Sequence, residues 1–131
     1  MVKLTPYADA LGIGFERMED GVAVLRVDFA DAVQGRPGAL HGGAISGLLE
    51  TAGFVLLKAA LAEAGRTAML KPINLTVQFL ASGKPRPTFA KARIVKLGRR
   101  TANISVEAWQ DDPDRPIASA VMNVMVAQPR V

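Results

Sequence analysis

The stretch from about Gly43 to Ala64 constrains this chain more than any other. It reads as a single helix, roughly 33 Å long at ~1.5 Å per residue. Its most apolar part, Ala44 to Ala62, carries Ser46, Glu50 and Lys58. Ionisable groups near the middle of a membrane span are costly, so a buried core helix is expected, with no membrane partner. Ala52 to Leu57 is apolar nearly all round, which demands cover on several sides. Gly65 stands where a helix of this length needs a C-terminal cap.

The cover has to come from the rest of the chain. After Gly65 the apolar period changes from helical to two. Ile73, Leu75, Val77 and Phe79 alternate with Asn74, Thr76 and Gln78, and Ala102, Ile104, Val106 and Ala108 alternate with Thr101, Asn103, Ser105 and Glu107. Both patterns predict half-buried antiparallel strands. Phe89 to Leu97 and Ile117 to Ala127 read as two more, with turns at 82–85, 97–99 and 112–114. Upstream, residues 3–11 suit a short helix that Pro6 allows only to start there. Asp20-Gly21 separates Ile13–Met18 from Val22–Phe29, a hairpin signal because Asp-Gly supplies positive φ. Residues 30–42 read as a loop broken by glycine and proline. The predicted architecture is α+β, an antiparallel sheet curled around one long central helix. With 131 residues, 50% hydrophobic and 21% charged, one globular domain over 1–131 is expected.

Composition excludes several chemistries. There is no cysteine and one histidine, which removes a disulfide scaffold, a thiolate zinc site, a cysteine nucleophile and a multi-histidine metal site. No metal and no cofactor are expected. The N-terminal residues lack the apolar run of a signal peptide, and a cytoplasmic location is expected. The net charge is +4, but its distribution says more. Lys84, Arg86, Lys91, Arg93, Lys96, Arg99 and Arg100 lie in one stretch without an acid. Such a field suits an anionic ligand, or else a solvated sheet edge charged against aggregation. Nucleic-acid binding is disfavoured, because aromatics are only 5% and the basic stretch interleaves just Phe89.

The chemistry is concentrated in Gly38 to Thr51. His41 precedes Gly42 and Gly43 at the start of the helix. Glycine lets backbone approach a ligand closely, and the first helical N–H groups have no partner within the helix. Those donors and the helix dipole suit an oxyanion. At 100° per residue, Gly43, Ser46, Gly47, Glu50 and Gly53 share one stripe. Four are small, as close packing requires. The fifth is a carboxylate about two turns in, which is expensive to bury without a task or a partner. For His41, a loop-fixing hydrogen bond is favoured over proton transfer.

His41-Gly42-Gly43 followed by Glu50 nine residues after the histidine resembles the hotdog-fold acyl-CoA thioesterases, best their PaaI-like and 4-hydroxybenzoyl-CoA thioesterase branches. Asn74 to Leu80 and Lys96-Leu97-Gly98-Arg99 resemble later parts of the same pattern. The resemblance implies a sheet wrapped around one helix, with subunits joined edge to edge as homodimers or dimers of dimers. It implies sites at the interface, with His41 and Gly42 from one chain and Glu50 from the other. The implied substrates are aryl-, arylacetyl- or medium-chain acyl-CoA. The Gly42 N–H would polarise the thioester carbonyl, while Glu50 would activate water or attack directly to give a mixed anhydride. Gly43, Gln34, Asn74, Arg99 and Arg100 are the expected substrate-binding residues, the two arginines for the phosphates of coenzyme A. The family's amide residue six positions before the histidine is Gly35 here, with Gln34 adjacent. The alternatives are a non-catalytic acyl-CoA sensor on this fold and, less suited to a histidine already placed in the glycine loop, a hydratase.

Overall fold

In the computed structural model, which describes residues 3–128, the chain begins with helix α1 (Pro6–Leu11). Thr5 caps it by accepting the Ala8 N–H at 3.2 Å, and Gly12 ends it at φ +78°. Strands β1 (Ile13–Glu19) and β2 (Val22–Val27) follow. The turn between them has positive φ at both Asp20 (52°) and Gly21 (77°), the primed geometry that matches strand twist. Phe29 lies beyond β2, because the chain leaves the sheet after Val27. A single 3-10 turn at Asp31–Val33 and a bridge between Gln34 and Leu40 organise the expected loop.

Helix α2 (Gly42–Glu63) is 22 residues long. Its C-terminus closes as a Schellman motif: Gly65 sits at φ +66°, the Arg66 N–H donates to the Leu61 carbonyl at 2.9 Å, and the Gly65 N–H donates to Ala62 at 3.0 Å. Then come β3 (Met69–Phe79), β4 (Thr88–Leu97), β5 (Thr101–Trp109) and β6 (Ala118–Ala127). The six strands form one sheet in the order β1-β2-β4-β5-β6-β3, and every neighbouring pair is antiparallel.

The sheet's inner face is built for a helix to lie close. Ala90, Ala92, Ala102, Ala108, Ala118 and Ala120 are all buried there, beside Ile104, Val106, Met122 and Val124. From the helix, Leu48, Leu49, Ala52, Leu57 and Leu61 complete the core. Small residues on both surfaces shorten the separation. A Cβ on Gly53 would fall 2.2 Å from the Met122 sulfur and 3.5 Å from Val106 Cγ2. By length and composition α2 could cross a membrane, with mean hydropathy 1.6, yet here it packs on the sheet.

Strand β3 differs from expectation. It starts at Met69, four residues before Ile73, and so runs through Pro72. Proline is tolerated because β3 is an edge strand, and a bulge follows it between Pro72 and Asn74. The edge carries large apolar side chains in the open, Ile73 at 50% and Phe79 at 55% exposure.

Gly53→Val should therefore lower the unfolding free energy by about 1–3 kcal/mol through overpacking. Gly14→Val, at a position with open space around it, should not. Urea denaturation of the two variants measures the difference.

Candidate active site

His41 is the N-cap of α2, in extended backbone at φ −67°, ψ 135°. Its Nδ1 accepts the Gly43 N–H at 2.8 Å. Its own N–H donates to the Val33 carbonyl at 2.8 Å, and its carbonyl accepts from Ala44 and Ile45 at 3.0 and 3.1 Å. The imidazole thus does the work usually left to Ser or Asp at this position. Gly43 is needed for it, since a Cβ there would lie 2.9 Å from Nδ1. One donor of the first turn is left over: among the described residues the Gly42 N–H has no acceptor. Gly42 is half-buried against Phe79, whose Cζ would be 3.3 Å from a Cβ at that position.

Glu50 lies two turns further on and is half-buried. It lines an apolar cavity of about 500 Å³ with Leu4, Tyr7, Phe54, Val55 and Leu70, while Lys3 and Lys58 also line it. The small-residue stripe resolves into separate tasks. Gly47 admits α1, with Leu11 Cδ1 2.9 Å and Tyr7 Cε2 3.2 Å from where a Cβ would be, and Gly53 admits the sheet. Of that stripe, Glu50 alone lines the cavity. Phe54 was legible as its neighbour, four residues on along the helix, and Val55 stands in the same relation to Thr51, which also lines the cavity. Leu4 and Tyr7 carried no such signal, because nothing in the local pattern ties α1 to α2.

Eight residues separate Gly42 from Glu50, about 12 Å along the helix axis and roughly 80° around it. A single chain therefore does not offer both groups to one carbonyl.

The remaining candidates are dispersed. Gln34 braces the loop, its Oε1 accepting the Gly38 N–H at 2.8 Å. Gly35 lies against the histidine, where a Cβ would be 3.2 Å from His41 Cα. Asn74 is not beside Gly42 or Glu50. It stands on the sheet face away from the helix, accepting from Asn123 Nδ2 at 2.8 Å, because the bulge after Pro72 sets its register against Asn123. Asn123 in turn accepts from Asn103. Arg99 and Arg100 occupy the β4–β5 turn at the far end of α2, where Arg66 donates to the carbonyls of Gly98 and Arg99 at 3.1 and 3.2 Å. They line a cavity of about 530 Å³ with Met125 and Gln128.

The basic stretch is partly neutralised. Arg86 pairs with Asp111, and Lys91 reaches Glu19 at 3.2 Å and Asp20 at 3.6 Å. Hydrogen bonds from Arg17 and then Lys91 hold the Glu19 carboxyl below its ordinary value. Among the described residues Arg93, Lys96, Arg99 and Arg100 have no carboxylate within 4.0 Å.

Residues 37–117, the span from the glycine loop into the last turn, match the family model of the thioesterase superfamily. The chain belongs to that superfamily. Its sheet and helix form the hotdog fold, and solved structures align over nearly the whole chain. A glutamine-to-alanine mutant of a thioesterase from Staphylococcus aureus aligns with TM-score 0.79 at 25% identity, covering 95% of this chain and 100% of that one. The BH2602 protein of Bacillus halodurans, solved with CoA, aligns with TM-score 0.83 at 21% identity, covering 96% and 81%. A curated relative from Saccharolobus solfataricus, provisionally named an esterase, is 28% identical over 100 residues, 76% of this chain. The match spans 63% of that relative's length.

For this member of the superfamily the cap geometry gives a direct test. His41→Ala should cost about 0.5–2 kcal/mol of stability, and His41→Asn should restore most of it, because asparagine caps as well. Equal destabilisation of both variants in chemical denaturation would refute the capping role.

Proposed function

We propose that this protein hydrolyses acyl-CoA thioesters at sites shared between two copies of the chain. The observation that carries the proposal is where the two half-sites lie relative to β3. Gly42 rests on Phe79 at one end of that strand, while Leu70 at the other end lines the Glu50 cavity. β3 is a free sheet edge. Antiparallel pairing of two such edges sets the Phe79 end of one copy beside the Leu70 end of the other. It thereby brings the Gly42 N–H of one helix toward the carboxylate of its neighbour, which the 12 Å separation within one chain (about eight residues of rise) forbids.

The chemistry follows from that pairing. The thioester carbonyl oxygen points at the Gly42 N–H, in the positive field of the helix terminus. Glu50 takes a proton from water, and the hydroxide oxygen bonds to the carbonyl carbon. The resulting oxyanion collapses, the C–S bond breaks, and the departing thiolate receives the proton from Glu50. Free acid and CoA are the products. Direct attack by the carboxylate uses the same geometry, with a mixed anhydride that water then opens. After single turnover in oxygen-18 water, label in Glu50 would mark an anhydride opened by water at the Glu50 carbonyl carbon, an outcome the general-base route does not give. Leu4, Phe54, Val55 and Leu70 supply apolar walls for an aryl, arylacetyl or medium-chain acyl group. Arg99 and Arg100, without a carboxylate partner among the described residues, suit the phosphates of CoA. A cytoplasmic enzyme without cofactor, acting as a dimer or dimer of dimers and binding no nucleic acid, is part of the same proposal.

One observation favours a second reading, a non-catalytic acyl-CoA-binding protein: Gly35 offers no side chain beside His41. Turnover decides between the two. Against a panel of acyl-CoA thioesters the wild type should release thiol, and Glu50→Gln should lower kcat by about 10²–10⁴ while still binding substrate. Near-normal hydrolysis by Glu50→Gln would refute the assignment, and binding without any turnover by the wild type would establish the sensor. Arg99→Ala should raise KM several-fold and leave kcat nearly unchanged. An unchanged KM at low ionic strength would remove Arg99 from the site.

A further inference from the structure

The outward row of β3 has hydrogen-bonding capacity that goes unused among the described residues. Asn103, Asn123 and Asn74 form a ladder of side-chain amides across β5, β6 and β3, each at a register position opposite the next. The ladder runs toward the free edge and stops at Asn74, whose Nδ2 donates to nothing among the described residues. Beyond it on the same face stand Thr76 and Gln78, both exposed and without a side-chain partner among the described residues.

The bulge limits how this edge can pair with itself. Pro72 stands opposite Val124, which is buried, whereas Asn74 stands opposite Asn123 on the outer face. The alternation of faces therefore breaks between Pro72 and Asn74. A two-fold antiparallel pairing must set outward residues opposite outward ones and inward opposite inward, so only Asn74–Phe79 can take part regularly. Two centres use this segment best, Thr76 and Val77. About Val77, Asn74 would face Leu80 and its amide would stay unpaired. About Thr76, Asn74 faces the partner's Gln78, and two threonine hydroxyls meet on the axis.

We infer that two copies pair along β3 with Thr76 on the two-fold axis. Asn74 of each then bonds Gln78 of the partner subunit, so that the amide ladder continues across the junction and fixes its register. The inference rests on the shared-site reading above and adds to it the alignment of the edges. An amide pair works with either orientation of the glutamine, since each group both donates and accepts. Cross-strand threonine pairs are likewise favourable. A slip of one residue would turn every side chain of the segment to the wrong face. The two half-sites, which lie at opposite ends of β3, would then lose their alignment.

The chain contains no cysteine, so single replacements report the axis directly. Paired strands bring directly opposed Cα atoms to about 4.5–5.5 Å, within disulfide range. Under mild oxidation Thr76→Cys should give a covalent dimer on a non-reducing gel. The double variant Asn74→Cys/Gln78→Cys should do the same, and Asn74→Cys alone should not. Asn74→Leu, which removes two symmetric amide pairs, should raise the dimer dissociation constant about tenfold or more in sedimentation experiments. A dimer that links through Val77→Cys and not Thr76→Cys, or that links at none of these positions, overturns the register and leaves the shared site standing. A wild type that stays monomeric at every concentration overturns both.

Discussion

Burial of one apolar helix is the interaction on which the rest of the molecule depends. α2 presents Leu48, Leu49, Leu57 and Leu61 to a sheet whose inner face is rich in alanine, and Gly53 closes the gap at Met122. Small side chains on both surfaces trade side-chain volume for proximity, since close-packed interiors leave no room for a second layer. The same close approach fixes the helix along its length, and with it the angular positions of Gly42 and Glu50. The site inherits its geometry from the core.

Much of this was legible from local pattern. The period-two runs became β3 and β5, Asp20-Gly21 became a primed turn, and Gly65 became the left-handed residue of a Schellman motif. In each case the signal is local: an alternation, or a residue able to adopt positive φ. The spatial order of the strands was not legible, because it depends on which edges meet across the helix. Neither was the start of β3. Proline reads as a strand breaker unless the strand is known to be an edge, and edge status is a property of the assembled sheet.

The candidate site divides the same way. His41 as a structural residue and Glu50 as a lone carboxylate among small neighbours both follow from the segment between them. Gln34, expected to bind substrate, also holds its own loop at Gly38, a contact that no local pattern announces. Asn74 faces away from the helix, on the polar side of the alternation it shares with Thr76 and Gln78, whereas Ile73, read as part of the apolar row, falls in the bulge and is exposed, because bulges have no dependable signature in a run of alternating residues. The basic stretch looked like one field in sequence. In space its charges divide between one strand, β4, and the turns at its two ends, and Glu19, Asp20 and Asp111 answer some of them.

Arg66 has a broader significance. It fastens the end of the long helix to the β4–β5 turn through the carbonyls of Gly98 and Arg99. Those acceptors belong to the backbone, so the fastening does not depend on which side chain residue 99 carries. The turn is free to diversify its surface while the scaffold beneath keeps its shape. Side chains at that end can change without a matching loss of foldability.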